Sequence, residues 1–168
     1  MRKGVGGNRL LRGVVPADTI LRHAVDGDWP LARSLFVEAT RVSHPGLGEP
    51  ERLAYVEERR SRWMGAPVRV VAETEGGEAT ALVWVVDDAF VQGADYVQLI
   101  AVDPAHRRHG LARALLRYAV LRARERRRGL IRAGVHRDNA ASLRLFASER
   151  FVPEEGHDGD FVLLRRRP

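Results

Sequence analysis

Arg107-Arg108-His109-Gly110-Leu111-Ala112 decides the fold of this chain, because of what flanks it. Before it come an apolar, strand-like segment at residues 96–102 and the turn signal Asp103-Pro104; after it comes an Ala- and Leu-rich helical pattern. Strand, Pro-marked turn, permissive Gly and helix start together make an anion-binding element. Helix N-termini leave backbone N–H groups unpaired and carry a partial positive charge, so a phosphate docks there without a side-chain ligand. Gly110 and Ala112 have little or no side chain, which lets a ligand approach the backbone closely.

Upstream, residues 20–25 read as a first strand, broken by Asp26, Gly27 and Asp28. Asp28 is placed to N-cap a helix with Pro30 in its first turn, whose Leu31, Leu35, Phe36 and Ala39 fall on one face. A Gly- and Pro-rich loop at 44–50 leads to a second helix, from about Glu51 to Trp63. Residues 68–72 and 81–86 form a hairpin through Glu75-Gly76-Gly77-Glu78, and a looser turn at 87–93 leads into the strand 96–102. The helix after Gly110 buries Leu111, Leu115, Tyr118 and either Leu121 or the stem of Arg122. A strand at 130–135, a short helix capped by Asp138 or Asn139 and a last strand at 161–164 complete the chain. The order β-α-α-β-β-β-α-β-α-β implies one α/β domain with a mixed, largely antiparallel sheet. Residues 1–15 are expected to be a basic, flexible tail and 16–168 the domain.

Asn139-Ala140-Ala141-Ser142-Leu143-Arg144-Leu145-Phe146-Ala147-Ser148-Glu149-Arg150-Phe151 supplies a second motif about 30 residues after the first. Together the two resemble the GNAT superfamily of acyl-CoA N-acyltransferases: Arg-x-x-Gly-x-Ala in the first, and Asn139, Ser142, Leu145 and Phe151 in the second. The likeness covers nearly all of 18–164. It implies a sheet of six to seven strands, flanked by about four helices, whose central parallel strands splay apart. It also implies acetyl-CoA as cosubstrate. Backbone groups of Ile100, Ala101 and Val102 would pair with its pantetheine arm like an added strand. Backbone N–H groups of Arg107, Arg108, His109, Gly110, Leu111 and Ala112 would hold the pyrophosphate. Asn139, Ser142 and Phe146 would lie toward the thiol end, Asn139 having an ordinary N-cap as its other role. Two positions depart from the pattern. Phe146 stands where a tyrosine often protonates the departing thiolate, and Phe has no donor; Arg150 replaces a Gly.

The amine acceptor must lose a proton, so a base is expected on or near strand 96–102, facing the splay. Asp95 is the first candidate, then Tyr96 and Gln98 by ordering water, with Asp87, Asp88 and His136 behind them. With no Cys in the chain, a covalent acetyl-enzyme on a thiol is excluded and direct attack in a ternary complex is favoured. Trp29, Trp63 and Trp84 are core or pocket-lining aromatics. The six His show no paired ligand spacing, so no metal is expected.

The net charge of +6 is unevenly distributed. Segment 106–132 carries ten Arg against Glu125 alone, which suits a multiply anionic cosubstrate. Residues 15–105 sum to −7, which points to a cationic amine as acceptor. Arg-rich ends raise a nucleic-acid or ribosome contact, but Lys3 is the only Lys among 28 basic residues, which favours a compositional bias over a selected basic arm. No apolar run approaches the roughly 18 residues of a membrane span and the start lacks an apolar leader, so a cytoplasmic monomer or homodimer is expected. The expected activity is N-acetylation of a primary amine on a small molecule or short peptide. The alternatives are a protein acetyltransferase of the ribosomal-protein type and a non-catalytic acyl-CoA-binding module.

Overall fold

The computed structural model describes residues 15–155 and 159–168; all but the last residue of the expected basic tail at 1–15 lies outside them. Seven strands form one sheet in the order β1-β2-β3-β4-β5-β7-β6. These are β1 (Thr19–His23), β2 (Val68–Thr74), β3 (Ala79–Asp87), β4 (Ala94–Val102), β5 (Leu130–His136), β6 (Val152–Pro153) and β7 (Phe161–Arg166). Every neighbouring pair is antiparallel except β4 and β5, which run parallel with helix α4 (Leu111–Glu125) as their crossover.

The sheet is covered on both faces. On one lies α4, whose Leu111, Leu115, Leu116, Tyr118 and Ala119 share a core with Val70, Val83, Val97, Ile131 and Val135. Of the two alternatives for its last turns, Leu121 and Arg122 are both half-buried, while Val120 and Ala123 are buried. Helix α5 (Ala140–Ser148) adds Phe146 to this core, its ring edge-on to Phe151 at 4.9 Å. The other face is covered by α1 (Trp29–Ser43), α2 (Glu49–Glu57) and α3 (Arg60–Met64). There Trp84 receives Phe36 at 5.7 Å and Trp63 at 5.6 Å, both edge-on, and Trp29 lies 6.1 Å from Trp63. All three tryptophans are buried in this core and line neither of the two pockets described below.

The helix expected from Glu51 to Trp63 is broken in two, and the break has a local cause. Arg59 folds its guanidinium back over the Tyr55 ring, 3.3 Å from the centroid, and donates to the Tyr55 carbonyl at 2.6 Å. That carbonyl is the one an unbroken helix would offer to the Arg59 N–H, which bonds Val56 instead. Asp28 also departs from expectation. Its carboxylate accepts from the Val25 N–H and from both terminal nitrogens of Arg22, so it closes the turn before α1 rather than capping the helix. That turn ends β1 at His23, two residues short of the expected end.

Among the described residues, no helix is long and apolar enough to cross a membrane.

Candidate active site

The decisive local feature is where β4 and β5 stop pairing. Their ladder has three rungs, Ala94↔Leu130, Asp95↔Ile131 and Tyr96↔Arg132, and then ends. Residues 97–102 and 133–136 continue apart, so β4 is hydrogen-bonded only to β3 there. Two causes are visible. The β3–β4 register passes from Val85↔Val97 to Trp84↔Leu99, leaving Gln98 as the extra residue of a bulge that bends the strand. The Tyr96 hydroxyl, from the last rung, stands against Gly134 two residues further along β5.

Gly134 has no room for a side chain. A Cβ there would stand 2.6 Å from the Tyr96 hydroxyl and 3.6 Å from Leu163 Cδ2. Gly134→Ala is therefore expected to cost about 1–3 kcal/mol of stability by overpacking. Adding Tyr96→Phe should recover most of it, a coupling that urea unfolding of the single and double variants will measure.

The open side of the splay is a cleft of about 600 Å³. Ile100, Ala101 and Val102 line one wall, Asn139, Ser142 and Leu145 another, and Gly110, Leu111 and Ala112 the far end. The two sequence motifs thus meet across one cavity. The loop between β4 and α4 is built from its own residues: Asp103 accepts from the Ala105 N–H at 2.9 Å and Arg107 Nε donates to the Val102 carbonyl at 3.1 Å. Arg108 at φ +72° and Gly110 at φ +81° are left-handed, which turns the chain sharply into α4. Such turns aim backbone N–H groups inward as an anion cradle, continued by the free N–H groups of the first helical turn. Arg107, Arg108, Arg113 and Arg144 also line the cleft. A long, polyanionic thioester carrier fits this donor set.

Asn139 realises its capping role, its side chain accepting from the Ser142 N–H at 3.0 Å, while still lining the cleft. Phe146 and His109 line it nowhere. Phe146 is in the core against Phe151, and exposed His109 turns its ring toward the His106 carbonyl at 3.3 Å.

The base candidates divide. Asp95 lies at the closed end of the ladder, not in the splay. Its fully buried carboxylate sits 2.8 Å from Arg126 and 3.1 Å from Arg128, at the α4–β5 turn. Burial holds this carboxyl above the usual carboxylate range, the two arginines offsetting only part of the rise. Tyr96 and Gln98 line a second pocket, of about 480 Å³, on the α2–α3 side of the sheet. Burial raises the Tyr96 phenol above its usual range, so it stays protonated. Asp87 and Asp88 line the same pocket, Asp87 with an exposed side chain and Asp88 with an enclosed one. Asp87 is bound by Arg126 and Arg128; Asp88 meets Arg132 at 2.9 Å and accepts from the Phe90 and Val91 N–H groups. Arginines from another part of the chain therefore offset the acidic balance of segment 15–105 in this pocket. His136, buried at the end of β5, accepts from the Asp138 N–H at 3.3 Å and lies edge-on to Phe161.

Two residues of this region had no sequence signal. His44, just after α1, stacks on Tyr55 with centroids 4.6 Å apart and lies 5.7 Å from Phe161. Burial, and then the charges of Arg59, His136 and Arg52, push its imidazole below the usual histidine range. Arg59 is the other, turned toward the pocket by the helix break.

The model of the acetyltransferase (GNAT) family matches residues 29–150. Comparison with curated protein sequences finds no match. Among solved structures, yncA of Salmonella typhimurium, a candidate acetyltransferase solved with its cofactor acetyl-CoA, is 25% identical. The match covers 90% of this chain and 94% of that one, with a TM-score of 0.63. Spermidine N-acetyltransferase from Vibrio cholerae, in complex with CoA and spermine, is 20% identical over 90% and 96% of the two chains, with a TM-score of 0.66. Ribosomal-protein-alanine N-acetyltransferase from Brucella melitensis is 21% identical over 88% and 99%, with a TM-score of 0.65. The last two bear on the fold alone. With a family match across most of its length, and with both motifs facing one cleft at a parted pair of parallel strands, the chain belongs to the GNAT family of acetyltransferases.

Proposed function

We propose that this chain is an acetyl-CoA-dependent N-acetyltransferase acting on a primary amine of a small molecule or short peptide, by direct attack with both substrates bound. The observation that supports it most is the cleft joining unpaired β4 to the N-terminus of α4. When bound, acetyl-CoA supplies the activated acetyl thioester. Along Ile100, Ala101 and Val102 the edge of β4 that β5 leaves open offers backbone N–H and C=O groups to its amide-bearing arm, the Val102 carbonyl being held by Arg107. The backbone of 107–112 takes the pyrophosphate, and Arg108 and Arg144 neutralise further phosphate charge.

The amine enters from the pocket holding Tyr96 and Gln98, which order water at the splay. Tyr96, held protonated, donates there and takes no proton. Asp95 is too far enclosed in its ion pairs to serve. His44, kept neutral and stacked behind the pocket-lining Tyr55, is the proton acceptor on this side and takes the proton through ordered water. Phe146 brings no acid, so the departing thiolate, with a pKa of about 8.5, is protonated by water or by Ser142.

Thiol release from acetyl-CoA with a panel of amines and short peptides tests this reading. Turnover with at least one amine is expected; binding of acetyl-CoA without any turnover would leave only the acyl-CoA-binding module. The pH profile tests His44. Its folded pKa lies below the ordinary 6.5, so its neutral form, and the rate that depends on it, persists at 6.5 and is lost only as pH falls further. His44→Gln should lower kcat/KM by roughly a hundredfold at neutral pH and remove that acid limb.

A further inference from the structure

We infer that the acceptor is an amino-carboxylate: a small molecule, of the amino-acid type, whose reacting amine lies near a free carboxylate. This rests on the N-acetyltransferase reading and names the substrate class of the same site. It starts from the charges that face the second pocket. Its two acids already face arginines, Asp87 pairing through Oδ1 with Arg126 and Arg128, and Asp88 with Arg132 as well as two backbone N–H groups. Its two cations differ. Arg59 and Arg62 line the pocket, and neither has a carboxylate partner among the described residues. Most other arginines on this side of the molecule do have one: Arg22, Arg33, Arg41, Arg52, Arg60 and Arg69 each meet an acid.

Arg59 is also held in place. Its plane lies over Tyr55 and one terminal nitrogen is spent on the Tyr55 carbonyl, leaving the other donors of a rigid fork for a ligand. A planar fork with fixed orientation matches a carboxylate, for which two parallel N–H···O bonds are the favoured geometry. The pocket's 480 Å³ is the size of a small-molecule site, and Tyr96 and Gln98 at its inner end adjoin the splay. A carboxylate on Arg59 and Arg62 leaves the amine to reach toward those two residues. A polyamine, by contrast, would bring several positive charges against two unpaired arginines, where both acids already carry arginine partners. The same positive potential favours the uncharged amine that must attack, and depression of His44 by Arg59 shows that this potential reaches the neighbouring groups. The reaction converts acetyl-CoA and the amino-carboxylate to coenzyme A thiol and the N-acetyl carboxylate. Of two protons lost by the ammonium form, one goes to solvent and one ends on the thiol.

The test is thiol release with matched sets: L-amino acids, their carboxamides and the corresponding decarboxylated amines, with spermidine and putrescine alongside. Wild type should prefer at least one amino acid over its carboxamide and its decarboxylated amine by tenfold or more in kcat/KM, carried mainly by KM. In Arg59→Gln/Arg62→Gln that ratio should fall toward one, and Arg59→Lys with Arg62 intact should retain part of it. Preference for amides or polyamines in wild type, or an unchanged ratio in the double variant, overturns the inference while leaving the N-acetyltransferase reading in place. No turnover with any amine of the sets, with acetyl-CoA still bound, overturns both.

Discussion

Gly110→Val is expected to abolish acetyl-CoA binding in a protein that remains folded. Gly110 sits at φ +81°, where an L-residue costs about 1–2 kcal/mol and a β-branched one at least that. At roughly 2–4 °C per kcal/mol for a chain of this size, melting falls by only about 2–8 °C. The binding effect is larger, because the isopropyl group stands among the N–H groups of the cradle. Losing two charge-assisted hydrogen bonds, at about 1.5–3 kcal/mol each, weakens binding by more than a hundredfold. Gly110→Asn separates the two contributions. Asn tolerates the left-handed region, so it should melt near wild type yet still bind acetyl-CoA weakly. Calorimetry on the three proteins reads both effects, and unchanged affinity in a folded Val variant would remove the loop from the site.

Most of what positions the cleft could be read before any coordinates, and for a physical reason. Backbone-determined features leave local marks: Asp103-Pro104 ends a strand, Gly110 permits the left-handed turn, Asn139 caps α5. Two such marks at the spacing of one crossover unit leave little freedom in how β4, α4, β5 and α5 connect. The breaks and pairings chosen by side chains were not legible. Arg59 ends α2 by competing for a carbonyl, which no periodicity reveals, and β6 is only two residues long. Ion pairing was hidden in the same way. A segment with net charge −7 looks like an acidic pocket until Arg126, Arg128 and Arg132, from another part of the chain, are found on Asp87 and Asp88.

Asp95 shows how the same residue type can be placed for chemistry or for architecture, and its replacement distinguishes them. Near the start of the central strand it has the position expected of a base. Its partners, however, are the arginines that follow α4, and they bind Asp87 as well, so the cluster ties the β3–β4 hairpin to the α4–β5 turn. That tie lies at the closed end of the ladder whose other end forms the cleft. Removing one partner of a buried ion pair leaves uncompensated charge and costs about 3–5 kcal/mol. Asp95→Asn should therefore lower the melting temperature by roughly 6–20 °C, and Asp95→Ala by more, since it also leaves a void. Assayed well below its melting temperature, the Asn variant should keep kcat within about threefold of wild type. A base would give the opposite pair of results, unchanged melting and kcat lower by roughly a hundredfold or more, and that outcome would return Asp95 to the reaction and displace His44 from it.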